Sequence, residues 1–131
     1  IAFKKNGINY AMTCAWATQV DYDKIVCLMG SQSVSAKALE IGDIIGVSAL
    51  SDMQENIAFQ IGENHSDEVN KLKGVKYFCD ESAILIDNSC VMMKVEVIDI
   101  LHLKEIEEDS LIYCRVLGYK ENDYAFFQFK K

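Results

Sequence analysis

The 131-residue sequence lacks the motifs that mark several large classes of enzyme. It has no G-x-G-x-x-G dinucleotide fingerprint, no Walker phosphate loop, no G-x-S-x-G nucleophile motif and no His-Glu-x-x-His zinc motif. Its two histidines, His65 and His102, are far apart and have no metal-ligand spacing, so we expect no metal site. We assign no catalytic residue, and we expect a binding protein or an enzyme whose chemistry belongs to a cofactor.

Long apolar runs and positive charge are also scarce. No run reaches the roughly 18 apolar residues of a membrane-spanning helix. The net charge of −7 disfavours binding to nucleic acid or to anionic lipid. Half of the residues are hydrophobic, which predicts one compact domain over residues 1–131.

The cysteine pattern argues against a disulfide framework. The five cysteines are odd in number, form no C-x-x-C pair and lie mostly inside apolar runs: Cys14, Cys27, Cys79, Cys90 and Cys114. We interpret them as reduced core residues of a cytoplasmic protein.

The stretch 9–35 carries the clearest local pattern. Two apolar runs, 11–18 and 25–30, flank a polar break at 21–24, which predicts two strands and a tight connection. One face of the first run is small, with Ala11, Thr13, Ala15 and Ala17. Such a face either lets a flat ring approach the backbone or packs tightly inside a small barrel, and the alternation does not separate these alternatives.

A loop of hydroxyl residues, Ser31, Ser33 and Ser35, follows the second run. We predict a helix at 36–41 with Ser35 as its N-cap and Gly42 as its end. A strand, a small polar loop and a helix start together favour an anion. Our hypothesis is that this stretch holds a phosphate-bearing cofactor.

The remaining pattern predicts a mainly β fold. We interpret residues 1–8 as a loose lead-in without regular structure. A capping box at Ser51 and Gln54 predicts the start of a helix that ends at Gly62. The inner face of this helix is predicted to carry Met53, Ile57, Ala58 and Ile61. A short helix is predicted at 67–72, and turns at 104–109 and 118–123. Further strands are predicted at 44–50 (with Gly46 packed closely), 75–79, 83–86, 90–103 (with a bulge at 98–99), 111–117 and 124–129. Since no regular βαβ alternation is present, we expect an antiparallel barrel with a few short helices.

Residues 9–20 resemble the opening of the flavin reductase-like family, which has an asparagine, then Met-Thr, a small residue with Trp, and Thr-Gln-Val. The similarity continues to Ser35, resumes at 65–75 and ends at 109–116, so it spans most of the chain in order. The chain departs from the family pattern at Asp23-Lys24 (often Pro-Pro), at His65-Ser66 (Ser-Gly) and at Ser110 (a histidine).

The resemblance implies a split antiparallel β-barrel that forms a homodimer and holds FMN near the interface. Thr13, Cys14, Ala15 and Trp16 would lie beside the isoalloxazine ring and the ribityl chain, and Ser31, Gln32, Ser33 and Ser35 would meet the phosphate. The implied cofactor-binding set is Asn9, Met12, Thr13, Cys14, Ala15, Trp16, Thr18, Ser31, Gln32, Ser33, Ser35 and His65. Three of the residues considered for the site have an alternative interpretation. Trp16 could be a core residue, and Lys37 and His65 could be solvated surface residues.

The implied activity is NAD(P)H-dependent flavin reduction through bound FMN. NADH and NADPH are both possible substrates, since Arg115 is the only arginine and no arginine pair marks a 2′-phosphate site. The alternatives are an FMN-binding electron carrier or flavin store, and a cofactor-free barrel kept for protein interaction. No redox partner is identified.

Overall fold

The computed structural model describes residues 1–30, 33–62 and 71–125. These residues form nine strands: β1 (Ala2–Lys5), β2 (Ile8–Ala11), β3 (Ala17–Asp21), β4 (Lys24–Met29), β5 (Ile44–Ala49), β6 (Tyr77–Asp80), β7 (Ala83–Ile86), β8 (Val91–Leu101) and β9 (Ser110–Glu121). They also form two α-helices, α1 (Val34–Ala38) and α2 (Glu55–Gly62), with a 3-10 turn at Asp52–Gln54 before α2.

All strands in these ranges belong to one antiparallel sheet. Its order is β3-β4-β9-β8-β5-β1-β7-β6, and β2 pairs with β1 off this path. The predicted mainly β, antiparallel architecture is therefore confirmed. No helix in the described ranges is long and apolar enough to cross a membrane.

The first residues form a hairpin, so the predicted loose lead-in is wrong. β1 pairs with β2 across Asn6 and Gly7, whose φ angles of 53° and 78° are both positive. Two positive φ angles in a two-residue loop match the right-handed twist of the flanking strands. The buried Phe3 stacks on Tyr10 with ring centroids 5.1 Å apart, which fixes the hairpin to the core.

The predicted continuous strand at 11–18 is also wrong. β2 ends at Ala11, β3 begins at Ala17, and residues 12–16 lie outside any strand; we call them the corner segment. The chain changes partner here, because Ala11 pairs with Ala2 of β1 and Ala17 pairs with Cys27 of β4. The second predicted strand and its tight connection are confirmed by β4 and the β3–β4 turn.

The later strands follow the predicted pattern with one correction. The register of β8 against β9 shifts between Val97 and Asp99, which confirms the bulge at 98–99. Residues 118–121 continue β9 instead of forming the predicted turn, because the first residues of β8 provide their ladder partners. The predicted strand at 124–129 falls mostly outside the described residues, and 124–125 are not strand.

The two helices differ in how well the sequence predicts them. Ser33, not Ser35, is the N-cap of α1, since its hydroxyl accepts the Ala36 N–H at 3.1 Å. At the other helix, the Ser51 N–H donates to Gln54 Oε1 at 2.9 Å, as the capping box predicts, and α2 ends at Gly62.

One residue of the predicted inner face of that helix points outward. Ala58 and Ile61 are buried, but Met53 is 70% exposed because it lies in the 3-10 turn and not in α2. The helix predicted at 67–72 lies mostly outside the described residues, and 71–72 belong to a turn.

Two apolar clusters form the core. The larger contains Phe3, Ile25, Cys27, Met29, Leu39, Ile45, Val95, Val97, Ile112 and Cys114. The smaller contains Ala2, Ala11, Ile61, Leu72, Ile84 and Ile86. Gly46 of β5 lies so close to the backbone of β7 that an added Cβ would collide with the Ile84 carbonyl oxygen, which confirms its predicted close packing.

Candidate functional site

The corner segment is the point at which the chain leaves one strand pair and joins another. The Met12 N–H donates to the Ile1 carbonyl at 2.9 Å and the Met12 carbonyl accepts from the Ile1 nitrogen at 3.0 Å, which continues the β1–β2 ladder by one residue pair. The Leu28 N–H donates to the Trp16 carbonyl at 2.8 Å, which begins the β3–β4 ladder. Both ends of the segment are thus anchored.

Side chains from distant elements fix the backbone on either side of the corner. The Thr13 hydroxyl donates to the Ala58 carbonyl of α2 at 2.8 Å. The Ala11 carbonyl accepts from Lys71 Nζ at 2.9 Å and from the Ser35 hydroxyl at 3.3 Å. The Ala11 carbonyl is thus satisfied by side chains where the strand ends, as a buried backbone group requires.

A cavity of about 240 Å³ lies against the corner segment. Its wall includes Met12, Thr13 and Cys14 from the corner and Ala58 and Ile61 from α2. A larger groove of about 440 Å³ shares four wall residues with it: Ala17, Val47, Ala49 and Met93. The two depressions therefore adjoin, and the groove volume is in the range of ordinary ligand sites.

The outer side of the corner presents small residues beside a large aromatic ring. Ala15, Ala17 and Thr18 are exposed, and Trp16 is 73% exposed. The interpretation of Trp16 as a core residue is therefore wrong for this chain. A tryptophan left in water next to small side chains offers a flat apolar surface to a second molecule.

The described part of the seryl loop reaches the corner through one contact. The Ser33 hydroxyl lies 3.4 Å from the Met12 sulfur while it caps α1. Ser35 is 1% exposed, and its hydroxyl is turned inward to Ala11. Lys37 of α1 is exposed. Ser31 and Gln32 lie outside the described residues, as does His65.

Only some of the predicted binding residues lie together at the cavity and the groove. Met12, Thr13 and Cys14 line the cavity, Thr18 lines the groove, and Ser33 touches Met12. Asn9 lies apart, because its amide contacts the hydroxyl of Tyr77 in β6 at 3.4 Å.

Other wall residues are missing from the prediction. Val47, Ala49 and Met93 come from β5 and β8, and only strand pairing brings them to the corner. Lys71 is 7% exposed and holds Ala11, although it lies 60 positions away. The small side chains that follow Gly46, Ser48 and Ala49, were the one signal in the sequence that β5 could border a ligand cavity.

The cavity wall also contains an interacting pair of thiols. Cys14 and Cys27 both line it, and the Cys14 thiol donates to the Trp16 carbonyl at 3.3 Å and to the Leu28 carbonyl at 3.4 Å. The neighbouring Cys27 thiol lowers the pKa of Cys14, against the opposing effect of burial, and Cys14 in turn raises the pKa of Cys27. All five cysteines are free; Cys27, Cys90 and Cys114 are buried as predicted, whereas Cys79 is exposed.

Neither protein-family models nor curated protein sequences give a match to this chain. Solved structures do. An FMN-binding protein from Thermus thermophilus superposes with a TM-score of 0.81 at 13% identity, over 93% of this chain and 69% of that one. An NADH:FAD oxidoreductase of Streptomyces globisporus gives a TM-score of 0.82 at 16% identity, over 98% and 83%. The flavoredoxin of Methanosarcina acetivorans gives 0.79 at 12%, over 93% and 66%.

These likenesses establish the fold, since the identities are low. The chain has the split-barrel fold of FMN-binding proteins and flavin reductases. The fold that the flavin reductase-like resemblance implies is thereby confirmed.

Proposed function

We propose that the protein binds FMN at the corner segment and acts as an NAD(P)H-dependent oxidoreductase of the flavin reductase type. The observation that carries this proposal is the contact between Ser33 and Met12 at 3.4 Å, which joins the seryl loop to the corner and its cavity. A flat ring and its phosphate tail need two such neighbouring surfaces, one apolar and one rich in hydrogen-bond donors.

The residues beside the cavity and the groove fit the ring end of the cofactor. Their side chains are mostly apolar or small, and Thr18 adds a hydroxyl at the groove. Trp16 and the small residues around it would flank the ring outside the cavity. The chain contributes binding, orientation and exclusion of water here, and FMN, when bound, supplies the hydride chemistry.

The seryl loop fits the phosphate end. The Ser33 hydroxyl accepts the Ala36 N–H and donates to the Met12 sulfur, a weak acceptor that a phosphate oxygen would replace, and Lys37 provides a positive charge on α1. Ser31, Gln32 and His65 remain predicted ligands outside the described residues. Ser35 would act by holding Ala11 in place, since its buried hydroxyl is used there.

A homodimer with FMN near the interface is part of the proposal. β3 is an edge strand of the sheet, and large apolar side chains near it are exposed. They are Trp16 (73%), Val20 (54%), Tyr22 (99%), Leu117 (47%) and Tyr119 (68%). Such a concentration of exposed apolar surface is typical of interfaces. The free cysteines fit a cytoplasmic location.

Absorption spectroscopy tests the binding step directly. The purified protein is saturated with FMN, desalted and scanned, and we expect a retained flavin band near one FMN per chain. A colourless protein would refute both the enzyme and the carrier alternatives. Anaerobic addition of NADH or NADPH to the loaded protein should then bleach the band; retained colour without bleaching would refute the enzyme and leave the electron carrier.

A further inference from the structure

Two cysteine side chains share the wall of the cavity at the corner segment. Cys14 belongs to the corner and is partly buried, whereas Cys27 belongs to β4 and is 1% exposed. Both line the cavity of about 240 Å³, and the Cys14 sulfur lies 3.4 Å from the carbonyl oxygen of Leu28, the residue that follows Cys27 in β4. The cavity thus gives a small molecule a path to a pair of thiols inside the sheet.

The other cysteines have different surroundings. The Cys90 thiol donates to the Tyr124 carbonyl at 3.1 Å, and burial alone raises the pKa of Cys114 to about 12. Cys79 is exposed on β6. None of these three lines the cavity, so Cys14 and Cys27 are set apart by their shared position in its wall.

The backbone around Cys14 has room to adjust. A disulfide requires the sulfurs to approach to about 2.05 Å, so one of the two cysteines must be able to move. Cys27 is fixed by ladder pairing on both sides, with Ala17 of β3 and Ile112 of β9. Cys14 lies outside any strand, so the corner segment can move towards β4 without breaking a ladder.

We propose that Cys14 and Cys27 form a redox-active thiol pair that low-molecular-weight disulfides convert to an intramolecular disulfide. The Cys14 thiolate attacks one sulfur of the small disulfide, forms a mixed disulfide and releases one small thiolate. The Cys27 thiol then loses its proton to solvent, and its sulfur attacks the Cys14 sulfur and displaces the second small thiolate. Two protein thiols are oxidised and one small disulfide is reduced to two thiols, so electrons and protons balance.

The environment of the two thiols gives them these separate roles. The neighbouring Cys27 thiol lowers the pKa of Cys14 and so favours its thiolate, which is the nucleophilic form. The Cys14 sulfur beside it and burial keep Cys27 protonated until the mixed disulfide removes the negative charge at Cys14. The pair does not depend on FMN binding, so its failure would leave the proposed function intact.

Peptide mapping tests the proposal on the reduced protein without added flavin. Oxidised glutathione is added, samples are quenched with acid, and free thiols are alkylated before tryptic digestion. Cleavage after Lys5, Lys24 and Lys37 places Cys14 in peptide 6–24 and Cys27 in peptide 25–37. We expect a mixed disulfide on peptide 6–24 first, then a cross-link between the two peptides that dithiothreitol reverses.

Serine variants assign the roles. Cys27→Ser should accumulate glutathione on Cys14, Cys14→Ser should leave Cys27 unmodified, and both should lose the cross-link. Cys79→Ser is the matched control and should cross-link like the parent protein. Absence of the 6–24 to 25–37 cross-link in the parent protein would overturn the proposal, whether or not the variants fold. Glutathione confined to Cys79 would overturn it equally.

Discussion

Replacing Ser33 by aspartate tests where the FMN phosphate lies. Ser33 caps α1 by accepting the Ala36 N–H at 3.1 Å, and aspartate and asparagine are N-cap residues as good as serine. Ser33→Asp therefore keeps the cap and adds one negative charge at the proposed phosphate position. Ser33→Asn keeps the cap and adds no charge, which makes it the matched control.

The size of the effect follows from Coulomb's law. Two unit charges about 4 Å apart repel by about 1 kcal/mol in water and by about 4 kcal/mol at an effective dielectric constant near 20. At about 1.4 kcal/mol for each factor of ten, this weakens FMN binding by about fivefold to about a thousandfold. Since Ser33 is partly buried, we expect roughly 50-fold between the aspartate and asparagine variants.

The measurement is a fluorescence titration of FMN and of riboflavin, which lacks the phosphate, against both variants. The aspartate variant should lose affinity for FMN and keep its affinity for riboflavin, and added salt should narrow the difference. Thermal unfolding of the two variants should coincide. Equal FMN affinities for the two variants, with intact folds, would refute our placement of the phosphate.

Three further changes probe the site and the scaffold. Trp16→Ala should leave the free energy of unfolding within about 0.5 kcal/mol of the parent value, because the side chain is 73% exposed. The same change should weaken FMN binding by about 3- to 10-fold, and unchanged binding would show that Trp16 is not part of the site. Gly46→Ala should lower the free energy of unfolding, measured by urea titration, by about 3 kcal/mol because the added Cβ meets the backbone of β7. Gly118→Ala is the control and should change it little, because an added Cβ there meets no atom within 4 Å. Equal effects of the two substitutions would contradict the close packing at Gly46. Burial lowers the pKa of Lys5, but its hydrogen bonds, led by that to Asp43, raise it more, so the folded pKa exceeds the ordinary 10.5. The difference in unfolding free energy between the parent protein and Lys5→Met should therefore be constant near neutral pH and shrink as the pH rises through the folded pKa of Lys5. A difference that stays unchanged up to pH 12 would contradict this.

The strands that face the core on one side were predictable from sequence. Along β8, Val95 and Val97 are buried and alternate with partly exposed residues, so a period of two is visible. The hairpin at Asn6-Gly7 was also predictable in principle, since an Asn-Gly pair is a strong turn signal. The two lysines before it, in a strand only four residues long, conceal the burial of Ala2 and Phe3.

The site itself was predictable only in its local part. Met12, Thr13 and Cys14 are neighbours in sequence, and the resemblance to a known motif is enough to group them. Val47 and Met93 reach the same cavity because β5 pairs with β8 in one particular register. No local pattern specifies a register between segments more than 40 residues apart, since it is decided by burial of whole strand faces.

The prediction of one strand at 11–18 failed at the place where the candidate site lies. The alternation there is real, but the chain changes partner after Ala11, and contacts to Ala58 and Lys71 hold the chain on either side of the change. Local patterns are expected to fail where a fold uses irregular backbone for function. Core packing leaves the exposure of Trp16 unexplained, and both a flavin ring and a second protomer would cover it. Trp16→Ala separates the two, because loss of the ring contact lowers FMN affinity at any protein concentration, whereas loss of a protomer contact lowers it only where the dimer dissociates.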